Sequence, residues 1–317
     1  MNFARFMLLA MCLLLFTVGL MAQENFAADN GEFMTINNET LYFESLGDEN
    51  DPVVMLIHGF GGSTVSWRFT MQPLADAGFY VIALDMPPFG LSDKRAEIDY
   101  TRSAMADRIA HLMDALDIET ATIAGHSMGG SVTAYFAVNY PERVDKLVFI
   151  SGGIFDLASV GEHADPDELT PNGLLDVLAT LDPNSPLTTM LANTVVTESV
   201  FRDLIESAYY DNDAVTDEVV ALYYRPLQLD NWVQGFIAYT TAQEDNPLTV
   251  EMLADAVDNV PVMIIWGEDD TWVDITVGEG MNSAFEAEFV AYPEIGHLVM
   301  EELPDAFNTD LIAFLQE

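Results

Sequence analysis

Short apolar runs recur along the chain, separated by stretches whose apolar positions recur every three or four residues. Before residue 155 these runs are "PVVMLIHG", "FYVIALDMPPFG", "ATIAGHS" and "DKLVFISGG". Continuous runs of this length are typical of strands buried on both faces of a parallel sheet. Helical spacing is clearest in "TRSAMADRIAHLMDALDIE", where it brings apolar residues to one face. Strands that alternate with helices predict a mostly parallel sheet flanked by helices, an α/β fold.

Further patterns predict the elements before, between and after these strands. The stretch "FMTINNETLYFESLG" predicts a two-strand hairpin with Asn37 and Asn38 at its turn. The stretch "TVSWRFTMQPLADAG" predicts one helix over 64–78 that ends at Gly78. After residue 258 we expect two strands and two helices, in "VPVMIIWG", around 276–285, in "EAEFVAYP" and in "PDAFNTDLIAFLQ".

The alternation breaks over residues 155–258, which are helical in periodicity and contain no clear strand. This predicts a helical cap inserted between two strands of the sheet. We therefore divide the chain into a core of residues 29–154 and 259–317, a cap of residues 155–258, and a leader of residues 1–28. We find no internal repeat.

Composition excludes several classes of protein. Half of the 317 residues are hydrophobic, which supports a large core. The 52 acidic residues against 10 basic ones give a formal net charge of −42. Nucleic acids and anionic membrane surfaces bind through basic patches, so we expect neither as a partner. Because the acids are scattered among apolar residues, they predict a solvated acidic surface. We expect a salty (halophilic) environment ahead of an acidic one.

The leader predicts export. One positive residue, Arg5, precedes an apolar run from Phe6 to Ala22, which is the layout of a secretory signal peptide. We therefore expect an exported protein, periplasmic or extracellular, or one anchored to the membrane if the segment stays uncleaved. Cys12 is the single cysteine and lies in this segment, so the protein without its leader would need no disulfide.

The stretch "GHSMGGS" at 125–131 carries the first sign of chemistry. Ser127 stands at the centre of G-x-S-x-G, between a predicted strand and a predicted helix. This is the context of a nucleophile elbow, a sharp turn that holds a serine out of its sheet. A helix that begins at Met128 would direct its N–H groups and positive dipole end towards the serine.

A nucleophilic serine needs a base and an acid that orients the base. His297 lies in "YPEIGHLVMEE", after the last predicted strand, and Asp270 lies in "IIWGEDDTWVD", after the strand before it. The glycines of "HGFGGS" at 58–63 let the backbone N–H of Phe60 turn towards the same place. With the N–H of Met128, it would form a two-donor oxyanion hole.

With these pieces in order, the chain resembles the α/β-hydrolase superfamily, in particular its capped, esterase-like members. The matching pieces are "HGFGG", "DMPPFGLSDK", "GHSMGG", "WGEDD" and "GHLVMEELP", and the resemblance covers roughly residues 40–155 and 258–317. It implies the α/β-hydrolase fold with a helical cap. It also implies that Ser127 is acylated, that two backbone amides stabilise the oxyanion, and that water activated by histidine releases the acyl group.

The resemblance also bears on which acid orients His297. The family pattern W-G-x-x-D places it four residues after Trp266, which is Asp270. Its neighbour Asp269 is expected to face solvent, because two carboxylates buried together would repel. Asp274 is the fallback.

For the function, the resemblance implies a serine hydrolase of carboxylic esters, close to the carboxylesterases and lipases. Similar folds cleave a carbon–carbon bond in dienoic keto acids, but those substrates are anionic, and the predicted cap offers only Arg202 and Arg225 as cations. We therefore expect a neutral acyl substrate. A dehalogenase or an epoxide hydrolase of this fold would carry Asp in place of Ser127. A ligand-binding receptor that retains the triad stays open, as does the oligomeric state.

The remaining candidate residues receive structural interpretations. We place His58, His111, His126 and His163 at structural or surface positions, with His126 pointing away from Ser127. Asp85 and Asp93 fit a turn in the proline-rich loop better than catalysis. The stretch "DNDAVTDE" at 211–218 is similar to a calcium loop but lacks its glycine and final Glu spacing, so it predicts a solvated helix start. We expect no metal and no cofactor.

Overall fold

In the part of the chain that the structure describes, the strands form one sheet of eight. The structure, a computed structural model, describes residues 26–154, 180–183, 185–285 and 287–317. The strands are β1 (Gly31–Ile36), β2 (Glu39–Leu46), β3 (Val53–Ile57), β4 (Tyr80–Asp85), β5 (Ala121–His126), β6 (Val144–Ile150), β7 (Val262–Gly267) and β8 (Glu288–Tyr292).

The order of strands across the sheet is β1-β2-β4-β3-β5-β6-β7-β8. The first two strands pair antiparallel, as do β2 and β4, and all the other pairs are parallel. Strands β4, β5 and β7 are buried along their whole length, which agrees with their continuous apolar sequence. The predicted α/β fold with a mostly parallel sheet is confirmed.

Helices cover the sheet and occur throughout the described part of the connection between β6 and β7. They are α1 (Met71–Asp76), α2 (Arg102–Ala115), α3 (Met128–Asn139), α4 (Pro186–Val195), α5 (Glu198–Glu206), α6 (Asp217–Tyr224), α7 (Trp232–Thr241), α8 (Val250–Ala256), α9 (Thr276–Phe285), α10 (Val299–Glu302) and α11 (Pro304–Gln316).

The hairpin is confirmed at its turn. Asn37 and Asn38 have φ angles of 51° and 67°, the pair of left-handed residues that a tight hairpin turn between twisted strands requires. The single helix predicted over 64–78 is wrong. A 3₁₀ turn covers Thr64–Trp67, and α1 begins only at Met71. Pro73 explains the break, because a proline inside a helix clashes with the carbonyl four residues earlier and is tolerated only in the first turn.

Five helices, α4 to α8, lie between β6 and β7, and no strand occurs in residues 180–183 and 185–261, the described part of this connection. Threonine side chains begin three of them: Thr197, Thr216 and Thr249 each accept a hydrogen bond from a backbone N–H in the first turn, as N-cap residues do. Residues 155–179 lie outside the described residues, so the extent of the cap stays a prediction.

The predicted leader also falls mostly outside the described residues, which begin at Phe26. In the described part of the chain, no helix combines the length and the apolar character needed to cross a bilayer.

Helix α3 packs unusually close to the sheet because two glycines carry no side chain. A Cβ on Gly125 would lie 2.2 Å from the carbonyl oxygen of Gly129. A Cβ on Gly129 would in turn lie 2.2 Å from the carbonyl oxygen of Ile57 on β3. Both distances are far below van der Waals contact, so the approach of α3 to β3 and β5 depends on these residues.

We therefore expect Gly129→Ala to lower the free energy of unfolding by about 1–3 kcal/mol, because the added methyl group must push rigid backbone aside. Gly280→Ala is the matched control. Gly280 lies in α9 with nothing within 4 Å of the added Cβ, so alanine should be neutral or slightly stabilising there. Urea unfolding of the two variants measures both effects. Equal stabilities would contradict the close packing described here.

Candidate active site

Ser127 lies at a sharp turn between β5 and α3. Its φ and ψ angles are 52° and −117°, a conformation that L-residues rarely adopt and that persists only where the surroundings enforce it. Its N–H donates to the carbonyl of Ile150 at 2.9 Å. Glycines flank it on both sides: an added Cβ on Gly59 would lie 3.0 Å from Ser127 Cβ, and one on Gly152 would lie 2.3 Å from Ser127 O. This is the geometry predicted for a nucleophile elbow.

The predicted base and acid meet at the same edge of the sheet. His297 Nδ1 lies 2.8 Å from Asp270 Oδ2, and both side chains are buried. The other carboxylate oxygen, Oδ1, accepts the backbone N–H groups of Trp272 at 2.8 Å and Val273 at 2.9 Å. With both oxygens occupied, the carboxylate is fixed and holds His297 in the tautomer that leaves Nε2 free to accept a proton.

The two alternative acids lie elsewhere. Asp269 is exposed, and its Oδ2 accepts the backbone N–H of Glu294 at 3.0 Å. Asp274 accepts the N–H of Thr276 at 2.9 Å and its hydroxyl at 2.5 Å. The structure therefore brings Asp270 to His297 and leaves Asp269 at the surface, while the catalytic role of Asp270 stays a prediction.

The serine and the base do not hydrogen-bond to each other in this structure. Nε2 of His297 is buried and has no hydrogen-bond partner among the described residues. Ser127 is 5% exposed. Catalytic hydrogen bonds are often long before substrate binds and tighten in the complex, so this arrangement is compatible with a serine activated by His297.

The two predicted oxyanion donors belong to segments that adjoin Ser127. Met128 opens α3, where the first backbone N–H groups have no partner within the helix. Phe60 follows Gly59 in the turn that approaches Ser127, and the N–H of Gly62 closes that turn on the carbonyl of Gly59 at 3.1 Å. The assignment of these two N–H groups as an oxyanion hole stays a prediction.

His126 is buried, as expected of a structural residue, but it also lines the same cavity as His297. The two ring centres are 4.7 Å apart. His126 Nε2 lies 2.8 Å from the carbonyl oxygen of His297, so it donates to the backbone of the base. Burial lowers the pKa of His126 well below its ordinary value, and the neighbouring His297 lowers it further. The ring is therefore neutral at physiological pH.

The other histidines are as expected or lie outside the described residues. His58 is buried and accepts the N–H of Met86 on Nε2 at 2.9 Å, and burial lowers its pKa to about 4. His111 lies at the surface, 3.2 Å from the side chain of Asn37. His163 is not among the described residues.

The proline-rich loop is held by a buried pair of opposite charges. Asp85 accepts the N–H groups of Thr64 at 2.7 Å and Leu91 at 2.6 Å, so its role in a turn is confirmed. Lys94 is buried nearby and donates to backbone carbonyls. Burial raises the pKa of Asp85 and lowers that of Lys94, and each charge offsets part of the other's shift. Asp93 pairs with Arg95.

The stretch similar to a calcium loop is a helix start. Asp211 caps a 3₁₀ turn, and Thr216 caps α6, whose first turn holds Asp217 and Glu218. Acidic residues are favourable at this end of a helix. Among the described residues, no group of three or more His, Cys, Asp or Glu side chains could hold a metal ion.

A cavity extends from His126 and His297 between the sheet and the helices of the insertion. Its wall is mainly apolar and aromatic. The larger apolar side chains are Phe60, Phe89, Val196, Phe201, Leu204, Ile205, Leu227, Trp232, Phe236, Trp272 and Leu298. Two kinds of residue in this wall were not predicted from the sequence. Trp272 packs 5.2 Å from the ring of His297, and Ser66 and Tyr223 bring hydroxyl groups to the wall.

Comparisons with known proteins agree with this fold. The sequence model of a family described as "alpha/beta hydrolase fold" matches residues 52–304. A 2-hydroxy-6-oxononadienedioate/2-hydroxy-6-oxononatrienedioate hydrolase of Paraburkholderia xenovorans (strain LB400) is 30% identical over 286 residues, which cover 87% of this chain and 90% of that protein. The uncharacterized hydrolase YugF of Bacillus subtilis (strain 168) is 25% identical over 283 residues, 89% of this chain and 96% of that protein.

A solved structure of a hydrolase also matches the fold of this chain. The crystal structure of the meta-cleavage product hydrolase CumD superposes with a TM-score of 0.70 at 26% sequence identity. The match covers 90% of this chain and 98% of that chain.

We expect Asp270→Asn to preserve the fold and to lower kcat for a p-nitrophenyl ester by about 10⁴, because an amide at this position favours the wrong tautomer of His297. Asp269→Asn is the matched control. Its carboxylate is exposed and makes one hydrogen bond to a backbone N–H, which the amide oxygen can also accept, so kcat should fall by about tenfold or less. Steady-state kinetics of both variants make the comparison. The reverse ranking would move the orienting acid to Asp269, and two mild effects would point to Asp274 or to an acid that follows the earlier strand, β6.

Proposed function

This chain belongs to the α/β-hydrolase family, and we propose that it is a serine esterase that hydrolyses carboxylic esters with neutral acyl groups. The observation that carries the proposal is the buried pair of His297 and Asp270, 2.8 Å apart, together with a serine held on a strained turn where β5 ends. An imidazole held in one tautomer next to a serine is the arrangement that makes a hydroxyl group nucleophilic.

The reaction follows from these groups. Ser127 Oγ attacks the ester carbonyl carbon while its proton passes to His297 Nε2, and the N–H groups of Phe60 and Met128 receive the negative charge on the carbonyl oxygen. Collapse breaks the bond to the alcohol, which takes the proton from Nε2. Water then attacks the acyl carbon while one of its protons passes to His297 Nε2. The bond between the acyl carbon and Ser127 Oγ breaks, Nε2 returns the proton to Oγ, and the carboxylic acid leaves.

The cavity wall supports a neutral substrate. Among the described residues that line the cavity, Lys94 is the only lysine or arginine. Its ammonium already donates to the backbone carbonyls of Phe89 at 3.4 Å, Gly90 at 2.5 Å and Ser92 at 2.9 Å. An ammonium has three N–H donors, so none remains for a substrate carboxylate. Desolvating a carboxylate without a partner is costly.

Carbon–carbon bond hydrolysis is the second candidate, because the relative that is 30% identical is named a dienedioate hydrolase. That name describes a substrate with two carboxylates. The occupied ammonium of Lys94 and the apolar wall are poorly suited to such a dianion, so we place ester hydrolysis first.

We expect the protein to hydrolyse p-nitrophenyl esters of neutral acids with a larger kcat/KM than a dienedioate of the kind that relative cleaves. Ser127→Ala should abolish ester turnover and labelling by a fluorophosphonate, because the attacking oxygen is gone. Ser131→Ala is the control, because Ser131 lies in α3 and donates to the carbonyl of Gly153. This variant should keep both ester turnover and labelling by the fluorophosphonate.

Each alternative gives a different result. Faster turnover of the dienedioate would establish carbon–carbon cleavage, and a stoichiometric adduct on the Ser127→Ala protein would overturn the nucleophile. Tight binding of esters without turnover would indicate a receptor.

A further inference from the structure

A buried carboxylate lies directly behind the cavity wall. The side chain of Glu301 is 1% exposed and pairs with Arg68 Nη2 at 2.6 Å through Oε2. The same oxygen accepts the hydroxyl of Tyr209, and Oε1 accepts the hydroxyl of Tyr223. Tyr223 in turn lies 2.9 Å from Ser66 Oγ. Ser66 and Tyr223 line the cavity.

The proton positions in this network follow from its chemistry. A carboxylate paired with a guanidinium only accepts hydrogen bonds, so the single hydroxyl proton of Tyr223 is donated to Glu301. Burial, and then the charge of Glu301, raise the pKa of Tyr223 well above its ordinary value, so the phenol keeps that proton. In the hydrogen bond between Tyr223 and Ser66, the oxygen of Tyr223 is therefore the acceptor and the hydroxyl of Ser66 is the donor. Ser66 Oγ then has lone pairs left and no proton to donate.

Ser66 and Gly62 both line the cavity, and Gly62 leaves space beside this oxygen. A Cβ on Gly62 would lie 3.0 Å from Ser66 Oγ, so any side chain there would cover it. Among the described residues, Tyr223 is the one hydrogen-bond partner of Ser66 Oγ. The other polar atoms near Gly62, the carbonyl oxygen of Gly59 and His58 Nδ1, already bond to each other at 2.7 Å. The lone pairs of Ser66 Oγ are therefore left for a ligand donor, whose hydrogen bond would add favourable free energy.

We propose that Ser66 Oγ is a specificity-determining acceptor that recognises a hydroxyl group on the ester substrate. The proposal rests on the proposed esterase function. A substrate hydroxyl at this position donates a hydrogen bond to the free lone pairs of Ser66 Oγ. An ether oxygen at the same position has no proton to donate, and its lone pairs repel those of Ser66 Oγ. The preferred substrate is therefore an ester that carries an additional hydroxyl group, in its acyl or its alcohol part.

The position of Ser66 fits recognition at a short distance from the reacting bond. Gly59 approaches Ser127 and Gly62 approaches Ser66 Oγ, each within 3.0 Å of an added Cβ. These two glycines are the ends of one tight turn. Ser66 and the nucleophile are therefore approached by the two ends of the same turn, which is the arrangement expected if one substrate contacts both.

The test compares matched esters. For the acyl part, these are p-nitrophenyl esters of ω-hydroxy, ω-methoxy and unsubstituted acids, from hexanoic to dodecanoic. For the alcohol part, they are 2-hydroxyethyl, 2-methoxyethyl and propyl esters of one fatty acid. In at least one arm we expect kcat/KM for the hydroxyl ester to exceed that for the methoxy ester by about tenfold. The arm that shows the preference identifies which part of the substrate carries the hydroxyl group.

Three variants separate recognition from stability. Ser66→Ala should bring the hydroxy-to-methoxy ratio to about one, because the acceptor is gone. Tyr223→Phe should also lower the ratio, by raising turnover of the methoxy ester, because Ser66 then has a proton to donate. Tyr209→Phe is the matched control: it removes a phenol from the same carboxylate but leaves Ser66 and Tyr223 untouched, and the ratio should stay at about tenfold.

Binding to the Ser127→Ala protein gives a readout that needs no turnover. Calorimetry with the methyl esters of the ω-hydroxy and ω-methoxy acids, and with the 2-hydroxyethyl and 2-methoxyethyl esters, should show the same preference. The absence of a preference in both arms, in turnover and in binding, would overturn the proposal, as would a preference that survives Ser66→Ala. A preference in binding together with no ester turnover by the unaltered protein would refute the esterase function and leave the acceptor standing.

Discussion

The backbone of Ser127, held at φ 52° and ψ −117°, is the constraint on which the site depends. Strain of this kind costs on the order of 1–3 kcal/mol, and the sheet offsets it. The N–H of Ser127 is fixed to Ile150 on β6 at 2.9 Å, while Gly59 and Gly152 leave the turn just enough room. Because β5 ends here and α3 begins at the next residue, the same constraint places a helix N-terminus beside the serine hydroxyl.

The base depends on the helical insertion as well as on the sheet. The N–H of His297 donates to the carbonyl of Ala208 at 2.8 Å, just past α5. The indole of Trp272, beside the acid, donates to Ser207 Oγ at 3.1 Å. Glu302 accepts the N–H of Gly296 at 3.0 Å and that of Tyr210 at 2.8 Å. The loops that carry Asp270 and His297 are thus tied to one short segment of the insertion, so the same contacts that cover the cavity also position the base.

The sequence predicted the parts of this arrangement that local pattern and chain order determine. Continuous apolar runs predicted the buried strands, and the two asparagines predicted the hairpin turn. The serine, the acid and the histidine were each predicted to follow a strand, and these strands end at the same edge of the sheet. Contacts between distant parts of the chain were not predictable. The orientation of His126 depends on a hydrogen bond to a residue 171 positions away, and that of Tyr223 on Glu301, 78 positions away. The break before α1 has a local signal in Pro73, because a proline is tolerated only in the first turn of a helix.

The most direct test of the central claim is to trap the covalent intermediate. The protein is mixed with a p-nitrophenyl ester, quenched in acid during turnover, digested and analysed by peptide mass spectrometry. The account predicts that the peptide containing Ser127 gains the mass of the acyl group and that the acyl group maps to Ser127 itself. An acyl group on any other residue, or hydrolysis that proceeds with no acylated peptide even when deacylation is slowed by cooling, would contradict it.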